Sequence, residues 1–434
     1  MQNIFLDNRN FSNSILTNFV IIIISNLLFA LVCKYLKKLM EIGVKYMQFI
    51  HNVSNYLNEA IKLRRWLHQH PEKGFNEFKT SEFIINYLNA LNIKYTKSGT
   101  TGIVAELNTG RPGKTIALRA DIDALPVTEE TNLPFESLNK GFMHACGHDS
   151  HTAILMTTIK FIKENLHHYN GCFRFLFQPA EETPPGGAIE LIKNGALQGV
   201  DYVYGLHCSP EIPVGSISVI DGPMMAAADK FEVTIIGKGG HGASPHQTVD
   251  AVLLATQVIN NLQTIVSRNV NPQHAAVLTI GKINGGFRFN VIAEKVELAG
   301  TVRTLRPKVR ELVKARIEEV IANTVKAQGG NYEFTYTDGY PPLINHKDNV
   351  DVLRNVGKKL LGEDKVIEIP FASMLGEDFA YYVEEKPGSF FRLGTKLKQG
   401  EQYPLHHSKF TIEEEGLAYG IKMFAGLLHY HNKN

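Results

Sequence analysis

The segment MHACGHDSH gathers His144, Cys146, His148, Asp149 and His151 into one short stretch. A cysteine and a histidine two residues apart can converge on one ion, because Gly147 lets the backbone bend sharply between them. A plain turn and helix cap with incidental histidines is the competing explanation. Further along, the apolar run CFRFLF leads into QPAEE, which sets Glu181 and Glu182 side by side. Neighbours on an extended chain point in different directions, so one carboxylate can hold a metal while the other faces a substrate as a base. The run VDYVYG leads to His207, and PLHHSKF supplies His406 and His407. Sulfur, nitrogen and oxygen donors of this number suffice for two transition-metal ions, with a carboxylate left over for proton transfer.

These clusters need elements to bring them together. From Met47 to about Met225, apolar β-rich runs (KTIALRAD, GCFRFLFQP, VDYVYGLHC) alternate with helical ones such as ILMTTIKFIKENL. Leu155, Ile159, Ile162 and Leu166 repeat at helical spacing in that last run, and Asp149 or Ser150 is placed to cap its start. Such alternation predicts an α/β fold with a mostly parallel sheet, whose ligands gather at the carboxyl ends of the strands. Residues 226–336 read β-α-β-β-α-β, the order of a ferredoxin-like unit, and the α/β pattern resumes from 337 to 434. The expected organisation is therefore a catalytic domain in two parts, 47–225 and 337–434, with an inserted α+β domain at 226–336.

Composition narrows the function. With 44% hydrophobic and 20% charged residues the 434-residue chain is an ordinary globular protein, neither disordered nor fibrous. Forty-five bases against 43 acids leave no excess positive charge for a phosphate backbone, which excludes nucleic acid as the expected partner. Four widely spaced cysteines suit a reducing compartment, where a special cysteine is a ligand or a nucleophile.

Taken in order, RADIDALP (119–126), MHACGHDSHTA (143–153), QPAEE (178–182), GLH (205–207), GKGGHGASPH (237–246), NVI (290–292), GTVRT (300–304), GEDF (376–379) and PLHHSKF (404–410) resemble the aminoacylase/carboxypeptidase family of two-metal hydrolases. The similarity runs from about residue 47 to 430. It is strongest to the branch of hippurate hydrolases, indole-acetyl-amino-acid hydrolases and N-acetyl-diaminopimelate deacetylases. The resemblance implies a metal-dependent amidohydrolase that cleaves N-acyl amino acids or small peptides with two divalent ions per subunit: zinc, manganese, cobalt or nickel. Cys146 would be shared by both ions, and His148, Glu182, His207 and His406 would complete them. Glu181 would be the general base, taking a proton from water and returning it to the leaving amine. Asp121 would support the site from the neighbouring strand end. Arg119 stands where the wider family has a histidine, and Ser408 departs from the family's usual pattern after the ligand, which leaves His407 as an alternative to His406. The insert would be a lid and a homodimer interface, its His241 reaching a substrate carbonyl oxygen in the partner subunit's site. Asn290 and Arg303 would hold the substrate carboxylate, although a surface salt bridge also accounts for Arg303.

Three rival readings are weaker. Gly237 to Gly242 matches G-x-G-x-x-G after a strand, but no acid for a ribose follows at the right distance and the next helix begins late. A cysteine-nucleophile reading of Cys146 leaves Glu181, Glu182 and His207 without roles. An inactive binding protein that keeps the hydrolase fold does not need all five ligands and the base. Residues 14–33 form a nearly uncharged run about long enough to cross a bilayer, followed by Lys34, Lys37 and Lys38. Two expectations compete: a membrane anchor with the catalytic domain on the cytoplasmic side, or a start at Met47 and a soluble cytoplasmic enzyme. The second is preferred, because the reaction requires no membrane.

Overall fold

A computed structural model describes residues 48–432, so the apolar run 14–33 lies outside the described residues. Among the described residues no helix is long and apolar enough to cross a membrane. The chain divides into a short unit ending at Asn52 and a unit from Val53 onward, and the second carries the fold.

Its larger sheet has eight strands, in the spatial order Lys94–Ser98, Gly102–Asn108, Cys172–Gln178, Thr115–Asp121, Tyr202–Pro213, Gly388–Lys396, Ile217–Val219 and Val366–Glu368. The four central strands run parallel. Antiparallel pairings join further strands on either side, so the sheet is parallel at its centre rather than throughout. Thr115–Asp121 is buried at every position after its first, as a strand covered on both faces must be. Helix His148–Glu164 has nearly every residue buried, and it packs against Leu57–Gln69 and Gly416–His431 on one face of the sheet. This helix begins earlier than its capping residues suggest. Gly147, at φ 85°, is the N-cap, and Asp149 and Ser150 lie within the first turn. One Asp149 oxygen accepts the Ser150 N–H at 2.8 Å within that turn, and the other takes Arg64 Nε at 3.0 Å and His68 Nδ1 at 2.8 Å, so the buried acid also has two cations.

The second sheet orders its strands Ala276–Gly285, Lys295–Thr304, Ala227–Ile236 and Asn331–Tyr340, all antiparallel, which is the ferredoxin-like arrangement. Helices Ala251–Thr264 and Pro307–Lys326 cover one face. Val309, Val313, Ile317, Ile321 and Val325, every fourth residue, form the buried stripe of the longer helix against Phe231, Val233 and Ile235. The chain enters this module through Gly222–Met225 and leaves through Leu343–Asn345, and these two segments pair with each other.

Candidate metal centre

The strand–loop–helix passage at 143–148 turns on Gly147, whose positive φ would strain any other residue. That turn presents Cys146 and His148 together. His148 Nδ1 donates to the carbonyl and carboxylate oxygens of Asp123 at 2.9 and 3.1 Å. Its Nε2 is buried without a hydrogen-bond partner, 3.7 Å from Asp121 Oδ2 and 4.0 Å from Glu181 Oε2. His207 is similarly fixed: Nδ1 donates to the Cys208 carbonyl at 2.8 Å, and Nε2 faces the Cys146 sulfur at 3.3 Å. From the other side, His406 Nε2 lies 3.3 Å from the same sulfur and 3.1 Å from Glu182 Oε1. The backbone of His406 takes φ 67°, and its N–H donates to the Ala145 carbonyl at 2.8 Å, binding the two loops together.

Two groups of three, Cys146/His148/His207 and Cys146/Glu182/His406, share one sulfur, each with its ligand atoms within 4.8 Å of one another; Glu181 lies within the same reach of His148 and Glu182. A buried imidazole nitrogen with no hydrogen to give or receive fits a cation. The sulfur argues likewise: burial, then Glu182, Glu181 and Asp121, push the Cys146 thiol well above its ordinary pKa, so a thiolate there requires positive charge close by. Thiolate, imidazole and carboxylate together are a donor set for borderline transition metals.

Glu181 belongs to a tight turn in which Ala180 N–H donates to Glu77 and Glu182 N–H donates to Asp123 Oδ2, both at 2.9 Å. Burial, followed by the charges of Glu377, Glu182 and Asp378, raises the Glu181 carboxyl well above the usual carboxylate range. Arg119 opposes them. It is completely buried, with Asp121 at 2.6 Å, Asp378 at 2.8 Å, Glu377 at 3.1 Å and the Gln178 amide oxygen at 2.8 Å. Asp121 passes this anchoring on, since its Oδ1 meets His151 Nδ1 at 2.6 Å and His151 Nε2 accepts the Cys208 N–H at 2.9 Å.

A cleft of about 750 Å³ opens over the donors, lined among others by Cys146, Glu181, Glu182, His207, His406 and Arg303. The Arg303 guanidinium donates to the Val302 carbonyl at 3.1 Å and to the Thr301 hydroxyl. No carboxylate of the described residues pairs with it, so the salt-bridge account of Arg303 is not met. Neither His241 nor Asn290 lines this cleft. Both are exposed and adjoin on a short ribbon, with Val291 opposite His241 and Gly242 N–H donating to the Asn290 carbonyl at 2.9 Å. His407 turns away to stack on Tyr403 at 4.6 Å, and His144 stands outside both donor groups. The glycine-rich turn 237–242 does not open a helix; the next one starts at Ala251 under an Asp250 cap, which removes the dinucleotide reading.

Asp123, Glu377 and Asp378 take part in the site although the motifs that contain them assign them no role, and His151 supports it rather than joining either donor group. Arg119, Asp121 and Asp123 alternate in an otherwise apolar strand end, and polar residues of period two in a doubly covered strand are a readable signal of an internal site.

Residues 117–430 match the model of peptidase family M20/M25/M40. An N-acetyl-L-cysteine deacetylase of Bacillus subtilis is 45% identical over 367 residues, 84% of this chain and 86% of that protein. An N-acetyldiaminopimelate deacetylase of Priestia megaterium is 40% identical over 84% of this chain and 96% of its own length. Among solved structures, a Bacillus subtilis dinuclear metal-binding peptidase of the M20 family superposes with a TM-score of 0.76 at 35% identity, covering 87% of this chain and 98% of that one. Two donor triads meeting at one sulfur and these relatives agree: the chain belongs to peptidase family M20/M25/M40, whose metal-dependent members hydrolyse amide bonds.

Proposed function

We propose that this protein removes the acyl group from N-acyl amino acids, acetyl or benzoyl among them, through Glu181 and two ions held by Cys146, His148, His207, Glu182 and His406. The observation that carries this reading is the pair of donor groups sharing the Cys146 sulfur, with the Glu181 carboxylate close to His148 and Glu182. When bound, the ions lower the pKa of water and polarise the amide carbonyl. Glu181 accepts the proton and returns it to the leaving nitrogen; a carboxyl whose proton affinity is raised by burial and neighbouring acids suits both halves of that task. Asp123 and the Cys208 carbonyl fix the ring orientations of His148 and His207. Arg303 receives the substrate carboxylate in a planar fork.

The donor chemistry favours zinc, cobalt or nickel over harder ions, with manganese the remaining alternative. A homodimer joined through the second sheet completes the proposal, with His241 and Asn290 serving the partner subunit's cleft. Its support is the edge strand Ala276–Gly285, with unpaired backbone on one side, and the adjoining Phe287 and Phe289, which are 83% and 99% exposed. A reducing, cytoplasmic setting fits a cysteine that must remain a thiol or thiolate; Cys146, Cys172 and Cys208 are all free. The test is Glu181→Gln, assayed on N-acetyl and N-benzoyl amino acids with metal content measured in parallel. Turnover should fall on the order of 100-fold or more with both ions retained. Ordinary turnover in the variant would remove Glu181 from the mechanism.

A further inference from the structure

Arg392 lies in the strand Gly388–Lys396, directly in register with His207 of the parallel neighbour and with Ser218 on its other side. Paired residues of adjacent strands project from the same face, about 4.8 Å apart. Arg392 therefore stands on the metal-centre side of the sheet, one strand spacing from a proposed ligand, and it lines the same cleft. Phe391, the residue before it, faces the opposite way, against Phe424 at 6.2 Å. Unlike Arg119, which three acids neutralise, Arg392 is partly buried and its guanidinium has no hydrogen bond or ion pair with any described residue. Burial pulls its guanidinium below the ordinary value, and only the exposed Glu211 opposes this. A cation that gives up water without gaining a partner is costly unless a ligand supplies one. Arg303 enters the cleft from the other sheet, so two guanidinium groups without carboxylate partners share one cavity.

We infer that the preferred substrate carries a second carboxylate besides the α-carboxylate, and that Arg392 receives it. This rests on the N-acyl amino acid reading above and names the substrate class within it. The second carboxylate has two sources, the side chain of the amino acid or the far end of a dicarboxylic acyl group, and each is matched with a neutral isostere in the test. The holoenzyme is assayed on N-acetylglutamate against N-acetylglutamine, and on N-succinylalanine against N-succinamoylalanine. In one pair kcat/KM should favour the acid by about 10- to 100-fold, the worth of a charge-assisted hydrogen bond. That ratio should fall towards one in Arg392→Met and be partly kept in Arg392→Lys. Absence of preference in both wild-type pairs overturns the inference without recourse to any variant, as does a preference that survives Arg392→Met in metal-replete protein. Hydrolysis of the neutral members alone would leave the N-acyl amino acid reading standing; hydrolysis of none of the four would count against both.

Discussion

Replacing Arg119 by methionine should be among the most damaging single changes outside the ligands themselves. Its guanidinium is fully buried, so nothing in solvent can take over the charge of Asp121, Asp378 and Glu377, which lie 2.6, 2.8 and 3.1 Å away. Removing one partner of a buried ion pair costs about 3–5 kcal/mol, because the remaining charge keeps its desolvation penalty. Three acids deepen that loss, and protonation of one of them limits it, so the upper half of the range is expected. At roughly 1 °C per kcal/mol for a chain of this size, the unfolding midpoint should drop by about 4–6 °C. Metal affinity should fall as well. Arg119 anchors Asp121, Asp121 anchors His151, and His151 accepts the N–H of Cys208 beside His207, so the variant frees a ligand by relay. Loss of such a supporting partner commonly costs 10- to 100-fold in metal affinity. Differential scanning calorimetry with metal titration tests both effects, and Arg119→Lys, which keeps the charge but not the fork, should fall between. A methionine variant as stable and as avid as the wild type would show that the three acids are neutralised by protons rather than by Arg119.

Mixing His241→Ala subunits with Glu181→Gln subunits should restore up to about a quarter of wild-type turnover, since each heterodimer holds one site with both groups intact; a verified subunit mixture as inactive as its parents excludes a histidine acting across the interface. His431 gives a pH-dependent outcome. Burial depresses its pKa to about 4, and its neutral ring accepts the Tyr204 hydroxyl at 2.6 Å while stacking on Tyr202. The unfolded chain binds a proton at higher pH than the folded one, so this histidine's contribution is present above about pH 6.5 and is lost as the pH falls to 4. The stability difference between wild type and His431→Phe should therefore narrow over that interval, and parallel melting curves would contradict it.

Local pattern made much of the architecture legible. The helix with Val309, Val313, Ile317 and Ile321 on one stripe, and the alternating strand Ala227–Ile236, follow from periodicity alone. So do the segments that carry Glu181, Glu182 and His207, because they follow or lie on strands of the central sheet, whereas Cys146 and His406 sit in loops away from strand ends. What local pattern could not carry was pairing at a distance. Asp149 has the chemistry of a helix cap, and only Arg64 and His68, some eighty residues earlier, turn it into an ion-pair partner. Arg119 reads as an odd charge in an apolar strand until Glu377 and Asp378 arrive from the far end of the chain. The antiparallel flanks of the large sheet escaped for the same reason, since strand direction depends on connections and not on composition.

The position of Gly388–Lys396 has a consequence for synthesis and assembly. This strand, nearly the last to be made, lies in the interior of the large sheet between Tyr202–Pro213 and Ile217–Val219, and His406 follows it. A nascent chain that has emerged only as far as Tyr340 already contains the whole ferredoxin-like module with its own core, which can fold ahead of the rest. The catalytic sheet meanwhile has a gap where its penultimate parallel pairing belongs, leaving strand edges open to any extended segment nearby. Closure demands contacts across more than 180 residues of chain, a slow class of event, and the His406 donor cannot reach Cys146 before it happens. The Cys146/Glu182/His406 donor group is thus completed late, whereas Cys146, His148 and His207 are all made earlier, and polypeptides ending short of Gly388 would be prone to aggregation and unable to form the shared-sulfur centre.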